Sequence, residues 1–154
     1  GVKAVNPNAE IIIGYTGVFD DPQAGKELAL NHIEQKVDII YQASGSCSVG
    51  VINAAEEKGA YSFGFDQTQN HLAPDTVLTS MIKKLDTVVY NESQSLLFDT
   101  FSIDTKVYGL ENNGVGIYRP QAEKMLDKDI LDTVDEYKKK IINGEIKVPT
   151  VPSS

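Results

Sequence analysis

Asp66 and Lys83 are the residues of this chain whose types and positions best suit chemistry. Asp66 ends the stretch Tyr61-Ser62-Phe63-Gly64-Phe65, which reads as a strand. A carboxylate at the carboxyl end of a strand stands where open α/β sheets place ligand contacts. Ser80 is expected to open a helix that presents Lys83 one turn in. Phe19, Asp20 and Cys47 fall in other loops that follow predicted strands, and Gln67 follows Asp66 in its own loop. An aromatic face, carboxylates, an amide and a cation suit a polar molecule with a flat ring and several hydroxyls. Aromatics stack on rings, and carboxylates accept from vicinal hydroxyls.

Each of these residues has a second, purely structural reading. Asp66 could cap its own loop by accepting from backbone amides. Lys83 could be a solvated lysine, and Phe19 could pack over the helix that Pro22 begins. Cys47 reads better as a small space-filler than as a nucleophile, because no spacing ties His32 or His71 to it. The small-residue loop Ser44 to Ser48, ahead of a helix, could hold an anion on its amides. Gly45 and Gly50 are expected to let the backbone approach something closely. Phosphate-loop, dinucleotide and metal-ligand spacings are absent from the sequence, so no catalytic set, metal or cofactor is expected.

The elements that must position these residues alternate. A helix end at Gly1 to Val5 stops at Asn6-Pro7-Asn8. The β-branched run Ile11-Ile12-Ile13 predicts a parallel strand covered on both faces. Asp21-Pro22 predicts a capped helix start, and that helix runs to about Gln35 with Ala24, Leu28 and Ile33 inward. Val37 to Tyr41 predicts a strand and Val49 to Lys58 a helix closed by Gly59. Val77 to Thr79 predicts a short strand and Ser80 to Leu97 a helix with Ile82, Leu85 and Val89 on its core side. Lys106 to Leu110 and Val115 to Tyr118 predict strands around Asn112-Asn113-Gly114. Lys128 to Asn143 predicts a last helix, with Ile130, Val134, Tyr137 and Ile141 on one side. The tail, Pro149 to Ser154, is expected to be loose. This order implies an α/β fold with a mainly parallel sheet, a three-layer sandwich.

The bulk numbers agree. A chain of 154 residues suits one core. A net charge of −8 disfavours nonspecific nucleic-acid binding. The run Lys138-Lys139-Lys140 reads as cations at a helix C-terminus. No apolar run approaches the roughly 20 residues of a membrane span. The start at Gly1, without Met, reads as a mature or truncated piece.

The segments GYTGVFDDPQAGKELALNHI, VDIIYQASGSCSVGVINAAEEKGAYSFGFDQTQ, LAPDTVLTSMIKKLDTVVY and YGLENNGVGIY, in this order, resemble the basic membrane lipoprotein family. These are substrate-binding receptors of ABC importers, and the best-known members bind purine nucleosides. The resemblance implies one lobe of a type I periplasmic-binding fold, the C-terminal lobe, with ligand clasped between two lobes. It implies that Asp66 holds ribose hydroxyls, and that Lys83, Phe19, Gly45 and Gly50 lie at the ligand. Residues 1–120 then form the ligand-binding lobe, and 121–154 a hinge return, C-terminal helix and tail, with the hinge at Tyr118 to Asp127 where Pro120 interrupts. The implied partners are a nucleoside-like small molecule and an ABC permease. Self-association through an exposed sheet edge is also implied, since the strand expected before Gly1, in the middle of this lobe's own sheet, is missing along with the first lobe. The implied location is extracytoplasmic, with a membrane lipid anchor outside this chain. Two departures stand out. Ser46, Cys47 and Ser48 replace the glycine- and threonine-rich loop of the family, and Thr68 replaces its second acid. A ligand-sensing regulatory domain of the same fold is the alternative; an enzyme ranks below both.

Overall fold

The computed structural model describes residues 1–149, as two compact units. One holds Gly1–Phe63 with Leu72–Val77; the other holds Gly64–His71 with the chain from Leu78 onward. The α/β class expected from the alternation is the one observed.

In the first unit, α1 is a single turn, Val2–Val5. Helix α2, Pro22–Glu34, starts as expected, with the Asp21 side chain accepting from the amides of Gln23 and Ala24 and Pro22 in the first turn. Such a cap satisfies two amides that have no partner within the helix. Strand β1, Ile39–Tyr41, leads to α3, Cys47–Lys58, which ends on left-handed Gly59. Strand β2, Tyr61–Gly64, pairs in parallel with β1, Ile40 opposite Ser62. It turns Ser62 and Gly64 inward and leaves Tyr61 exposed, the reverse of the apolar burial its composition suggests. Two glycines let α2 and α3 touch backbone to backbone. A Cβ on Gly25 would stand 2.2 Å from Cys47 O, and one on Gly50 would stand 1.7 Å from Pro22 O. The core clusters are Ala29, Ile40, Val51 and Ala54, and Ile52, Ala73 and Val77.

The Ile11–Ile13 strand does not form. The segment has no regular structure and is exposed, Ile13 by 72%. A β-branched run has strand propensity, but propensity acts only through a paired, covered ladder.

Strand β3 spans Val77–Lys83, in the second unit from Leu78 onward, and pairs antiparallel with β4, Val115–Ile117. The expected helix start at Ser80 is therefore wrong: Thr79 and Ser80 are buried inside a strand, and helix α4 begins only at Leu85. Ser80 reads as a helix cap by type, yet its hydroxyl serves another loop. The core face assigned to that helix is also corrected, since α4, Leu85–Leu97, has no buried residue. Lys106 to Leu110 is not a strand; β4 takes β3 as its partner instead. Pro120 does not interrupt the chain but opens α5, Arg119–Met125, from a position where its missing N–H costs nothing. Helix α6, Lys128–Ile142, is where the periodicity placed it, but its buried residue is Leu131 rather than Ile130 or Val134. Arg119 ties α5 to α6 through Asp135 at 2.9 Å and also pairs Glu123. These carboxylates raise the Arg119 pKa further, Glu123 most. Residues 150–154 of the expected loose tail lie outside the described residues.

Candidate functional site

Asp66 stands just past β2, as the sequence places it, and its backbone is left-handed with φ 66°. Aspartate is one of the few residues that tolerate this region. The Lys83 ammonium lies 2.7 Å from Asp66 Oδ1, and both side chains are about half exposed, 48% and 50%. The Lys83 amide also donates to Asp66 O at 3.0 Å. The structure thus brings these two residues together, although Lys83 arrives on the last position of a strand rather than on a helix. Lys83 further lies 5.1 Å from the Phe65 ring centroid, a cation–π contact that limits where the ammonium can go. A carboxylate offers about four lone-pair positions, so one lysine leaves Asp66 able to accept from hydroxyls.

Gln69 and Ser80 complete this loop; sequence reasoning gave neither a part in the site and read Ser80 only as a helix start. Phe65 N donates to Gln69 Oε1 at 3.0 Å, and Gln69 N donates to Ser80 Oγ at 3.1 Å. The usable signal was a glutamine four residues past a strand's end, long enough to reach back to its backbone.

Phe19, Gly45 and Gly50 belong to the first unit. Phe19 is 76% exposed and lines an open groove of about 1160 Å³ with Ile12, Tyr15, His32, Ile40 and Tyr41. The Phe19 side chain is therefore available for stacking rather than packed in the core. Gly45 has φ 60°, and a Cβ there would stand 2.7 Å from Phe19 O. What Gly45 lets approach is the protein's own chain, sealed by Ser46 N donating to Phe19 O at 2.7 Å. Gly50 likewise faces Pro22 of α2, a packing role.

The loop from Ser44 to Ser48 is not an open anion cradle. The amides of Cys47, Ser48 and Val49 donate to Ser44, Gly45 and Ser46 carbonyls, closing a tight turn. Cys47 is fully buried, with Sγ 3.4 Å from Val18 O, which is the space-filling role. Among the described residues no group of three His, Cys, Asp or Glu side chains could hold a metal ion. No helix among them is long and apolar enough to cross a membrane.

The profile of the family described as "ABC transporter substrate-binding protein PnrA-like" matches residues 1–151. Basic membrane protein D of Borreliella burgdorferi is 36% identical over 154 residues, which is 97% of this chain and 45% of that protein. The CD4+ T-cell-stimulating antigen of Listeria monocytogenes is 34% identical over 169 residues, 99% of this chain and 47% of that protein. Among solved structures, an ABC transporter solute-binding protein from Aeropyrum pernix matches with a TM-score of 0.81 at 28% identity, over 99% of this chain and 51% of that one. A Bacillus halodurans protein titled a transcriptional activator of the comK gene matches with a TM-score of 0.84 at 20% identity, over 95% and 50%, a likeness of fold alone. The chain spans about half the length of the curated relatives it matches. The fold is that of half a periplasmic-binding-type solute receptor.

Proposed function

The chain belongs to the PnrA-like family of ABC transporter substrate-binding proteins, and from that premise we propose that it binds a nucleoside or a related polyhydroxylated small molecule without covalent chemistry. The observation that supports this most is the Asp66–Lys83 pair: a half-exposed carboxylate at a strand end, held at 2.7 Å by a lysine. Asp66 accepts the ligand's vicinal hydroxyls. Lys83 holds the carboxylate in place for that task. Phe19, exposed on its own loop, is a separate candidate for stacking on a flat ring.

In the whole protein, this chain is one lobe of a two-lobe receptor. Closure of the lobes buries the ligand, and the closed form docks on an ABC permease. The whole protein is extracytoplasmic and lipid-anchored to the membrane. Self-association is proposed through an exposed sheet edge, where edge strand β1 leaves Ile39 and Tyr41 exposed.

Calorimetric titration with a panel of nucleosides and their bases tests the reading. A nucleoside should bind, the free base should bind more weakly, and Asp66→Ala should weaken the nucleoside more than about tenfold. Equal affinity for base and nucleoside would remove Asp66 as a hydroxyl acceptor.

A further inference from the structure

The geometry points to Gln69 and Ser80 as positioning residues that hold Asp66 and Lys83 in their paired arrangement, an inference that rests on reading Asp66 as the hydroxyl acceptor. Gln69 is held at both of its ends, by the Phe65 backbone and by the Ser80 side chain. Its side-chain Oε1 accepts from the Phe65 amide, one residue before Asp66, and its own amide donates to Ser80 Oγ. Ser80 lies in β3, three residues before Lys83. The Lys83 amide then returns to Asp66 O. The loop is therefore fastened to β3 at two places, Asp66 itself and Gln69.

Burial makes these bonds hard to replace by water. Gln69 is 8% exposed and Ser80 is fully buried. The Gln69 amide bond to Ser80 is buried and that of Phe65 to Gln69 is partly buried, and an amide shielded from water that loses its acceptor carries a desolvation cost. Gly64 is the third part of the device, since a Cβ there would stand 2.1 Å from Ser80 Oγ. Only glycine lets the end of β2 lie against the serine. A left-handed aspartate persists where its surroundings over-determine it, and Gln69 and Ser80 supply that constraint. The carboxylate is thus aimed before ligand arrives, and its selectivity for a hydroxylated ligand depends on residues that do not touch the ligand.

The test compares Gln69→Met, which keeps the length and removes the acceptor, with Gln69→Glu, which keeps an acceptor. In the ligand-free chain, amide exchange at Phe65 and Lys83 should speed up about tenfold in Gln69→Met. It should stay near wild type in Gln69→Glu, and the amides of α3 should be unchanged in both. In binding, the probes are adenosine and 2′,3′-dideoxyadenosine. Gln69→Met should shrink the wild-type preference for adenosine, whereas a role in stability alone would weaken both probes alike. Unchanged exchange in Gln69→Met, or equal losses for the two probes, would overturn the proposal. A wild-type chain with no preference between the probes would instead sink the hydroxyl-acceptor reading of Asp66, while exchange would still decide whether Gln69 holds the loop.

Discussion

Lys83 meets Asp66 twice, once through its backbone amide and once through its ammonium. The backbone bond is part of the loop's shape. The ionic one joins two half-exposed groups, and exposed pairs contribute only about 0–1 kcal/mol to stability. Lys83→Met is therefore expected to leave the melting temperature nearly unchanged while nucleoside binding falls. A melting temperature that drops with binding would mean that the lysine is structural.

Gly50→Ala should be among the most damaging single changes in the first unit. The new methyl would meet Pro22 O at 1.7 Å, and neither helix backbone can yield without disturbing the core between them. A loss of about 3 kcal/mol is expected in denaturant melts, near the top of the overpacking range. A neutral result would show that α2 and α3 can slide apart.

Asp21→Ala removes the acceptor from the first turn of α2. The expected cost is about 1 kcal/mol in chemical denaturation. Asp21→Asn or Asp21→Ser should recover most of it, since each retains a capping oxygen.

Glu92 fastens the irregular segment after α4. It accepts from the Lys106 ammonium at 2.6 Å and from the Tyr108 hydroxyl. The Lys106 hydrogen bond first, then that of Tyr108, lowers its carboxyl below the ordinary range, and Glu92 in turn raises the Tyr108 phenol. A lowered folded pKa gives stabilisation that is present above the ordinary carboxylate range and lost as pH falls through the lowered value. Acid titration followed by NMR should show the signals of residues 99–109 shifting with Glu92. In Glu92→Gln, that acid step should vanish and the Tyr108 phenol should titrate lower. An unchanged Tyr108 titration would mean that the contact is absent in solution.

The sequence revealed most where a local rule acts alone. Asp21-Pro22 marked the start of α2, and Gly59 the end of α3, because caps depend on their own few residues. It misled where the outcome depends on a distant partner. Ile11–Ile13 has strand composition but no ladder, and Ser80 has the type of a helix cap but serves Gln69 inside a strand. The site followed the same division. Asp66 was legible from its place at a strand end, and Lys83 from the family pattern. Gln69 was invisible, because its role exists only once β3 has brought Ser80 alongside.

The left-handed backbone at position 66 narrows which side chains can be exchanged there. Glycine enters that conformation freely, and asparagine and aspartate at less cost than β-branched or bulky residues. Of the three, only aspartate carries a charge. Asp66→Asn is therefore an isosteric edit that removes the anion alone, and Asp66→Gly one that removes the side chain without straining the chain. A natural variant of this protein that had changed its ligand could do so through either substitution and leave the loop's shape intact.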